Sequence, residues 1–328
     1  MTQTTTKVFV AGASGAIGKR LVPLLVGRGY AVVAMTRTFL HADGLRARGA
    51  EPVVADGLDR CAVIKALLRA EPDVVIHEMT ALSGVTSVRR FDGEFALTNR
   101  LRTEGTDHLL EGARAAGARR FIAQSFGNWN YARSGTDPKT ESDPFDPHPP
   151  AQQRRSLAAI RHLEDAVAGA QDLEGVVLRY ANLYGPGTGF AADGAIVPLL
   201  RKRRWPIIGN GDGVWSFVHV DDAAAATVAA VEDAAPGIYN VADDEPAPAS
   251  EWLPALARAV GAKPPRRVPL WLGRIATGEV GVSMMTQIRG ASNAKARREL
   301  GWEPWFASWR AGFRHGLTDT VLPRGAAA

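Results

Sequence analysis

Apolar positions come in short unbroken runs along the first 180 residues, and each run is followed by a longer stretch in which apolar and polar residues mix at helical spacing. The runs are KVFVAG, YAVVAM, EPVVAD, DVVIHEM, ARRFIAQS and EGVVLRY. A run that is apolar at nearly every position has no wet face, so it predicts a strand covered on both sides. Such strands separated by helices predict an α/β fold built on a doubly wound parallel sheet. Two later runs, GVWSFVHV and GIYNVAD, read as strands that return to the same sheet.

Between Ser134 and Pro150 the pattern gives way to a Pro-, Asp- and Ser-rich stretch, TDPKTESDPFDPHPP, which sustains neither helix nor strand. Its length fits either a lid over a site or a disordered surface excursion. After residue 185 the alternation loosens. The pattern divides the chain into a sheet-forming part, 1–184 with 213–244, and a smaller C-terminal lobe for substrate, 185–212 with 245–328. No internal repeat is present.

With 46% hydrophobic and 22% charged residues in 328, the composition is that of an ordinary globular chain, which excludes disordered, collagenous and disulfide-framework classes. The single cysteine, Cys61, cannot form an internal disulfide, no stretch is apolar enough to span a membrane, and the start MTQTTTK has no signal core. A cytoplasmic location is expected, with no membrane and no metal. The net charge of +5 comes from 39 basic and 34 acidic residues spread along the chain, so nucleic acid is not an expected partner. The one basic run, Arg201–Arg204, reads as a solvated helix end before Pro206 or as a polyanion contact.

The sharpest chemistry lies in VFVAGASGAIGKRLVPLL, where Gly12, Gly15 and Gly18 stand between the first strand and the first helix. Glycines there allow a tight turn, close approach of backbone N–H groups to a pyrophosphate, and close packing of helix on strand. This predicts a dinucleotide site. The second strand ends in Thr36-Arg37, where an NAD-selective site would carry an acidic residue for the ribose 2′-hydroxyl. A guanidinium cannot accept that bond but pairs with a 2′-phosphate, so NADP(H) is favoured over NAD(H) unless Arg37 is a plain surface residue. Asp56 stands where a carboxylate meets the adenine amino group, or serves the turn before Gly57.

Several ordered motifs carry a resemblance beyond the glycines: DVVIHEMTAL, EGTDHLLEGARAAGARRFIAQS, LRYANLYGPGTG, GNGDGVWSFVHVDDAAAA, YNVADDEP and RRELGWEPW. In order and spacing the chain resembles the extended short-chain dehydrogenase/reductases, the NAD(P)-dependent epimerase/dehydratase group, over nearly its whole length. The resemblance implies a Rossmann domain with Gly12, Ala13, Ser14, Gly15, Ile17, Gly18, Arg37, Asp56 and Gly57 at the cofactor, and with the strand from His77 to Ala81 beside it. It further implies Ser125 near the nicotinamide, Tyr180, Asn182 and Leu183 against nicotinamide and substrate, and a homodimer formed through helices of the first lobe.

The chain departs from that family at the catalytic end. The family's Tyr-x-x-x-Lys proton device is missing, since none of the five tyrosines has a lysine four residues on. Laying RRSLAAIRHLEDAV on the family pattern by Glu164 puts Ser156 and Ile160 at the two positions. Phe126 stands where the substrate-facing hydroxyl belongs, with Ser125 one residue early, and Arg102 replaces an asparagine. The replacement proton donors are Tyr131, with Arg102 or Arg154 as the cation that lowers its pKa, then Ser125 or water; Tyr131 reads equally as a loop anchor, and His77 as a core histidine.

Substrate clues are fewer. Nucleotide-sugar members carry an arginine before FVHVDD, and this chain has Trp215 and Ser216 there, although Arg289 stands near a second such position. Trp129, Trp215, Met284 and Met285 read as a pocket for an apolar or aromatic metabolite, or as core. The leading expectation is an NADP(H)-dependent oxidoreductase acting on a carbonyl or alcohol of a small molecule. A cofactor sensor or a non-redox isomerase, dehydratase or cyclase follows, and a nucleotide-sugar epimerase comes third.

Overall fold

The structure, a computed structural model, describes residues 5–82, 87–135 and 137–319. Each of the six early runs forms a strand: β1 (Lys7–Ala11), β2 (Ala31–Thr36), β3 (Glu51–Val54), β4 (Val74–His77), β5 (Arg120–Phe126) and β6 (Glu174–Tyr180). With β7 (Gly237–Val241) they make one seven-stranded sheet, ordered β3-β2-β1-β4-β5-β6-β7 and parallel throughout. The order reverses between β1 and β4, which opens a crevice beyond the carboxyl ends of the strands, the place where such sheets bind ligands.

Five helices cover the two faces: α1 (Gly18–Gly27), α2 (Arg60–Ala70), α3 (Thr106–Ala115), α4 (Arg154–Ala168) and α5 (Val220–Glu232). Val8 and Val10 pack into the layer under α1 and α5, whereas Phe9 and Ala11 pack into the layer under α2, α3 and α4. All four side chains are fully enclosed, which is why the run shows no polar alternation. At about 1.5–3 kcal/mol for each large apolar side chain buried, these two layers drive the fold.

GVWSFVHV does not return to the sheet. Val214–Trp215 pairs antiparallel with Ala247–Pro248, and Phe217–His219 pairs in parallel with Asn182–Tyr184, the continuation of the chain past β6. The reason is that β6 already has β5 and β7 on its two edges. Around these short ladders a third apolar cluster forms from residues including Trp215, Phe217, Trp252, Trp309 and Phe313, and it reaches back to Phe91, Trp129, Leu157 and Ile160.

The Pro-rich stretch is neither a free lid nor an excursion; it is a strap bonded at both ends. Tyr131 bridges Phe145, and Lys139 bridges Ala291. Lys139 is buried with its ammonium on Ser134 O and Asp143 Oδ1, while Arg133 pairs with Asp146 at 2.8 Å. Glu141 Oε1 accepts the Asn240 N–H at 2.6 Å, and Lys295 Nζ donates to Ile238 O at 2.8 Å. Both bonds occupy the open edge of β7, an edge that would otherwise template pairing with another chain.

Candidate active site

β1 ends at Ala11 and the chain turns at Gly12 with φ +94°, a conformation that a Cβ makes costly. A Cβ at Gly12 would stand 2.5 Å from the Glu78 carbonyl oxygen, and one at Gly18 would run into the backbone of Gly12 and Ala13. The turn is closed by Ala13 N–H on Met35 O at 3.2 Å and Gly15 N–H on Gly12 O at 2.9 Å. Beyond it α1 begins at Gly18, after Ile17, with no side-chain cap and no acidic residue in its first turn. Bare backbone and an uncapped helix N-terminus fit a pyrophosphate.

The adenine-side residues gather around that turn. Ser14 Oγ lies 3.2 Å from Thr36 Oγ1, and Arg37 follows, exposed and without a hydrogen-bond or ion-pair partner among the described residues. Asp56 is exposed with Oδ1 accepting the Leu58 N–H at 3.0 Å. Gly57 is buried because the Met79 sulfur fills the space a Cβ would take.

Two titratable groups at the end of β4 are buried. His77 accepts the Met79 N–H at Nδ1 and faces Leu101 O with Nε2 at 3.1 Å, so Nε2 carries the proton. Burial pushes its pKa down to about 4, which makes it a neutral core histidine. Glu78 points to the other face, where the Tyr180 hydroxyl donates to Oε1 at 3.0 Å and Oε2 has no partner among the described residues. Burial pushes Glu78 up to about 8, against the smaller opposing effect of the Tyr180 bond. Tyr180, expected against nicotinamide and substrate, is instead 1% exposed, with its hydroxyl also 2.6 Å from Thr227.

At the catalytic end the expected donors are enclosed. Tyr131 is 2% exposed; its hydroxyl donates to Asn240 Oδ1 and accepts Arg179 Nη1 at 3.0 Å. Burial outweighs Arg179 and pushes the phenol up to about 12, the opposite of what a proton donor near neutral pH needs. The cation beside Tyr131 is therefore Arg179, a correction of the expectation for Arg102 or Arg154, and the tyrosine anchors the strap. Ser125 Oγ donates to Glu164 Oε1 at 2.6 Å, and Glu164 also takes Arg179 Nε at 2.9 Å and Nη2 at 2.6 Å. On α4, Asp92 caps the helix start by accepting the N–H groups of Arg155 and Ser156 and the Ser156 hydroxyl at 2.6 Å. Ile160 is wholly buried. Arg102 is 4% exposed, and burial lowers its pKa to about 10, so it stays charged at neutral pH.

The substrate-side residues are packed more tightly than expected. Trp215 is 5% exposed, 4.7 Å from Trp252 between ring centroids, with Nε1 on Met284 O, which makes it core of the third apolar cluster. Met285 is core as well, and Met284 packs against it half-buried. Arg289 donates Nε to Arg133 O and pairs with Asp137, so it holds the strap. Asn182 Nδ2 donates to Ser216 O at 2.9 Å, and Leu183 is half-buried against the sheet. Trp129 meets Phe91 edge-on at 5.1 Å, next to Phe126 and to Phe95, which stacks on Phe91 at 4.1 Å.

A family model described as the NAD dependent epimerase/dehydratase family matches residues 8–242. The chain belongs to this family of NAD(P)-dependent enzymes. It is 47% identical over 310 residues to a 3-diazoavenalumate denitrifying reductase from a Streptomyces species, covering 93% of this chain and 98% of that protein. It is 28% identical to UDP-glucose 4-epimerase of Mycolicibacterium smegmatis over 96% of this chain and 97% of the other. The crystal structure of UDP-glucose 4-epimerase with UDP-glucose from Thermotoga maritima superposes with a TM-score of 0.73 at 24% identity, covering 95% and 97% of the two chains.

Two outcomes follow for the buried groups. Because the folded-state pKa of Glu78 is raised from 4.5 to about 8, its contribution is full below pH 4.5 and is lost as pH rises through about 8. Thermal melts across that range should fall more steeply for the native chain than for Glu78→Gln, and parallel curves would contradict the assignment. Tyr131→Phe should lower the unfolding free energy by about 1–3 kcal/mol in denaturant titrations while turnover persists; lost turnover at unchanged stability would restore the tyrosine as acid.

Proposed function

We propose that this chain is an NADP(H)-dependent reductase that removes the diazo group of a small aromatic compound as N2. The observation that carries the proposal is the catalytic end itself: the hydroxyls of Ser125, Tyr131 and Ser156 are each buried in bonds to Glu164, to Arg179 with Asn240, and to Asp92. Similarity to a denitrifying reductase over almost the full length of both chains supports it.

The charge balance agrees. A carbonyl becomes an alcohol by taking up a hydride and a proton, so it requires a positioned acid. An aryl diazonium needs the hydride alone: hydride on the terminal nitrogen gives an aryl diazene, the carbon–nitrogen bond breaks, and the products are the arene and N2. Any proton shed on the way is regained by the ring carbon. A bound nicotinamide supplies that hydride.

The chain's own residues bind and orient. Gly12, Ala13, Ser14, Gly15, Ile17 and Gly18 form the pyrophosphate cradle, and Arg37 stands free to pair with a 2′-phosphate. Phe91, Phe95, Phe126 and Trp129 supply flat apolar faces. Against a nucleotide-sugar substrate stands Trp215, whose indole is locked in the lobe core where a diphosphate clamp would be needed.

Purified protein given NADPH and an ortho-hydroxyaryl diazonium salt should consume one NADPH for each N2 detected by mass spectrometry. Reduction of ketones without N2 release would overturn the proposal. NADPH should bind at least about tenfold more tightly than NADH, a difference of about 1.4 kcal/mol, and Arg37→Ser should abolish the preference. Equal affinities in the native chain would remove the role given to Arg37.

A further inference from the structure

Arg102 carries a charge that the fold encloses and answers incompletely among the described residues. Its Nε and Nη1 are both buried with no such partner among the described residues. The carboxylate whose charge acts on it is Glu164, already engaged by Ser125 and by both Nε and Nη2 of Arg179. The imidazole of His77, which feels the charge of Arg102, is neutral and occupied by Leu101 O and Met79 N–H. A buried cation without compensation costs several kcal/mol, and the neutral asparagine expected at this position by family resemblance would avoid that cost.

The surroundings describe what would offset it. Asn99, near the end of the helical segment Ala96–Arg100, and Arg102, in the following turn Leu101–Gly105, both lie on chain that packs against α4. Asn99 Nδ2 donates to Ser156 Oγ at 3.0 Å, and Asn99 Oδ1 is a second buried atom without a partner. Phe95, whose carbonyl accepts the Asn99 N–H, stacks on Phe91 with planes 9° apart, and Trp129 meets Phe91 edge-on, which gives a flat apolar surface beside Asn99.

We propose that Arg102 is the anchor for a carboxylate on an aromatic substrate, whose ring lies toward Phe95 and Trp129. This deepens the reading of a diazo-aromatic substrate and rests on it only for the identity of the reacting group. A carboxylate is favoured over a phenol because at neutral pH, where Arg102 is charged, the carboxylate is ionised and an ordinary phenol is not. It is favoured over the cofactor's pyrophosphate because the uncapped end of α1 already offers that anion a site, and the turn carrying Arg102 (Leu101–Gly105) packs with α4 on the other face of the sheet.

The test compares trans-cinnamate with its neutral amide, cinnamamide, by titration calorimetry on the native chain and on Arg102→Met, each with and without NADPH. Cinnamate should bind the native chain at least about tenfold more tightly than cinnamamide, and the ratio should fall to about one in the variant. Thermal melts of Arg102→Met without ligand should lie at or above those of the native chain, because a lone buried cation has been removed. NADPH affinity should be the same in both. The proposal is overturned if the native chain fails to prefer cinnamate, if Arg102→Met melts well below it, or if the variant loses NADPH. Absence of diazo reduction alongside an intact cinnamate preference would sink the functional reading and leave the anchor standing.

Discussion

Arg179 and Glu164 face each other at 2.6 Å with almost no access to solvent, and the catalytic end is arranged around that pair. Glu164 fixes α4 and takes the Ser125 hydroxyl from β5; Arg179, on β6, holds Tyr131, lies 4.8 Å from the Phe145 ring centroid and reaches Glu141 O on the strap. Through Tyr131 the network extends to Asn240 on β7. Two charges in such a place are tolerated because every strong donor and acceptor they own is used. Loss of either partner strands the other, at about 3–5 kcal/mol, so strap, sheet edge and helix are held together.

That closed set makes the unclosed groups informative. Glu78 meets its burial by holding a proton, which a carboxyl can do near neutral pH. Arginine has no comparable escape, and Arg102 remains a cation with two idle nitrogens. The uncapped N-terminus of α1 is the third unsatisfied element, and it too carries positive character. Glu78 and the N-terminus of α1 follow strands β4 and β1 at the sheet's topological switch, and Arg102 lies in the turn that packs with α4. Binding capacity is therefore concentrated where the fold leaves polarity unanswered.

The sheet was legible because its strands are buried on both faces: Val8 to Ala11 have no polar member to obscure the period, and the same holds for Val74 to Ile76. The glycine turn was legible because only a missing Cβ satisfies the Gly12–Glu78 approach. What escaped were partnerships. Arg179 and Glu78 are ionisable groups inside otherwise apolar runs, a visible signal, but their partners Glu164, Tyr131 and Tyr180 lie between 15 and 102 residues away. Tyr131 looked available because nothing local to it says that β6 and β7 both reach its hydroxyl. GVWSFVHV has the composition of a sheet strand, and only the prior occupation of both β6 edges decides against it.

The altered catalytic positions make sense as a set when proton demand is counted. Ser156 has its hydroxyl turned into the cap of its own helix by Asp92, and Ile160 contributes to the aromatic cluster that reaches Phe91 and Trp129. Each exchange converts a reactive position into a packing or capping one, and Tyr131 does not take over as proton donor: its phenol is pushed up to about 12. For a reaction that must protonate an alkoxide, that combination removes a necessary part. For one that consumes hydride and expels a neutral gas, no net proton is taken up, and the freed positions go to capping and packing α4. A fixed cation at Arg102 then serves binding without disturbing that balance, since a guanidinium holds its protons through the whole cycle.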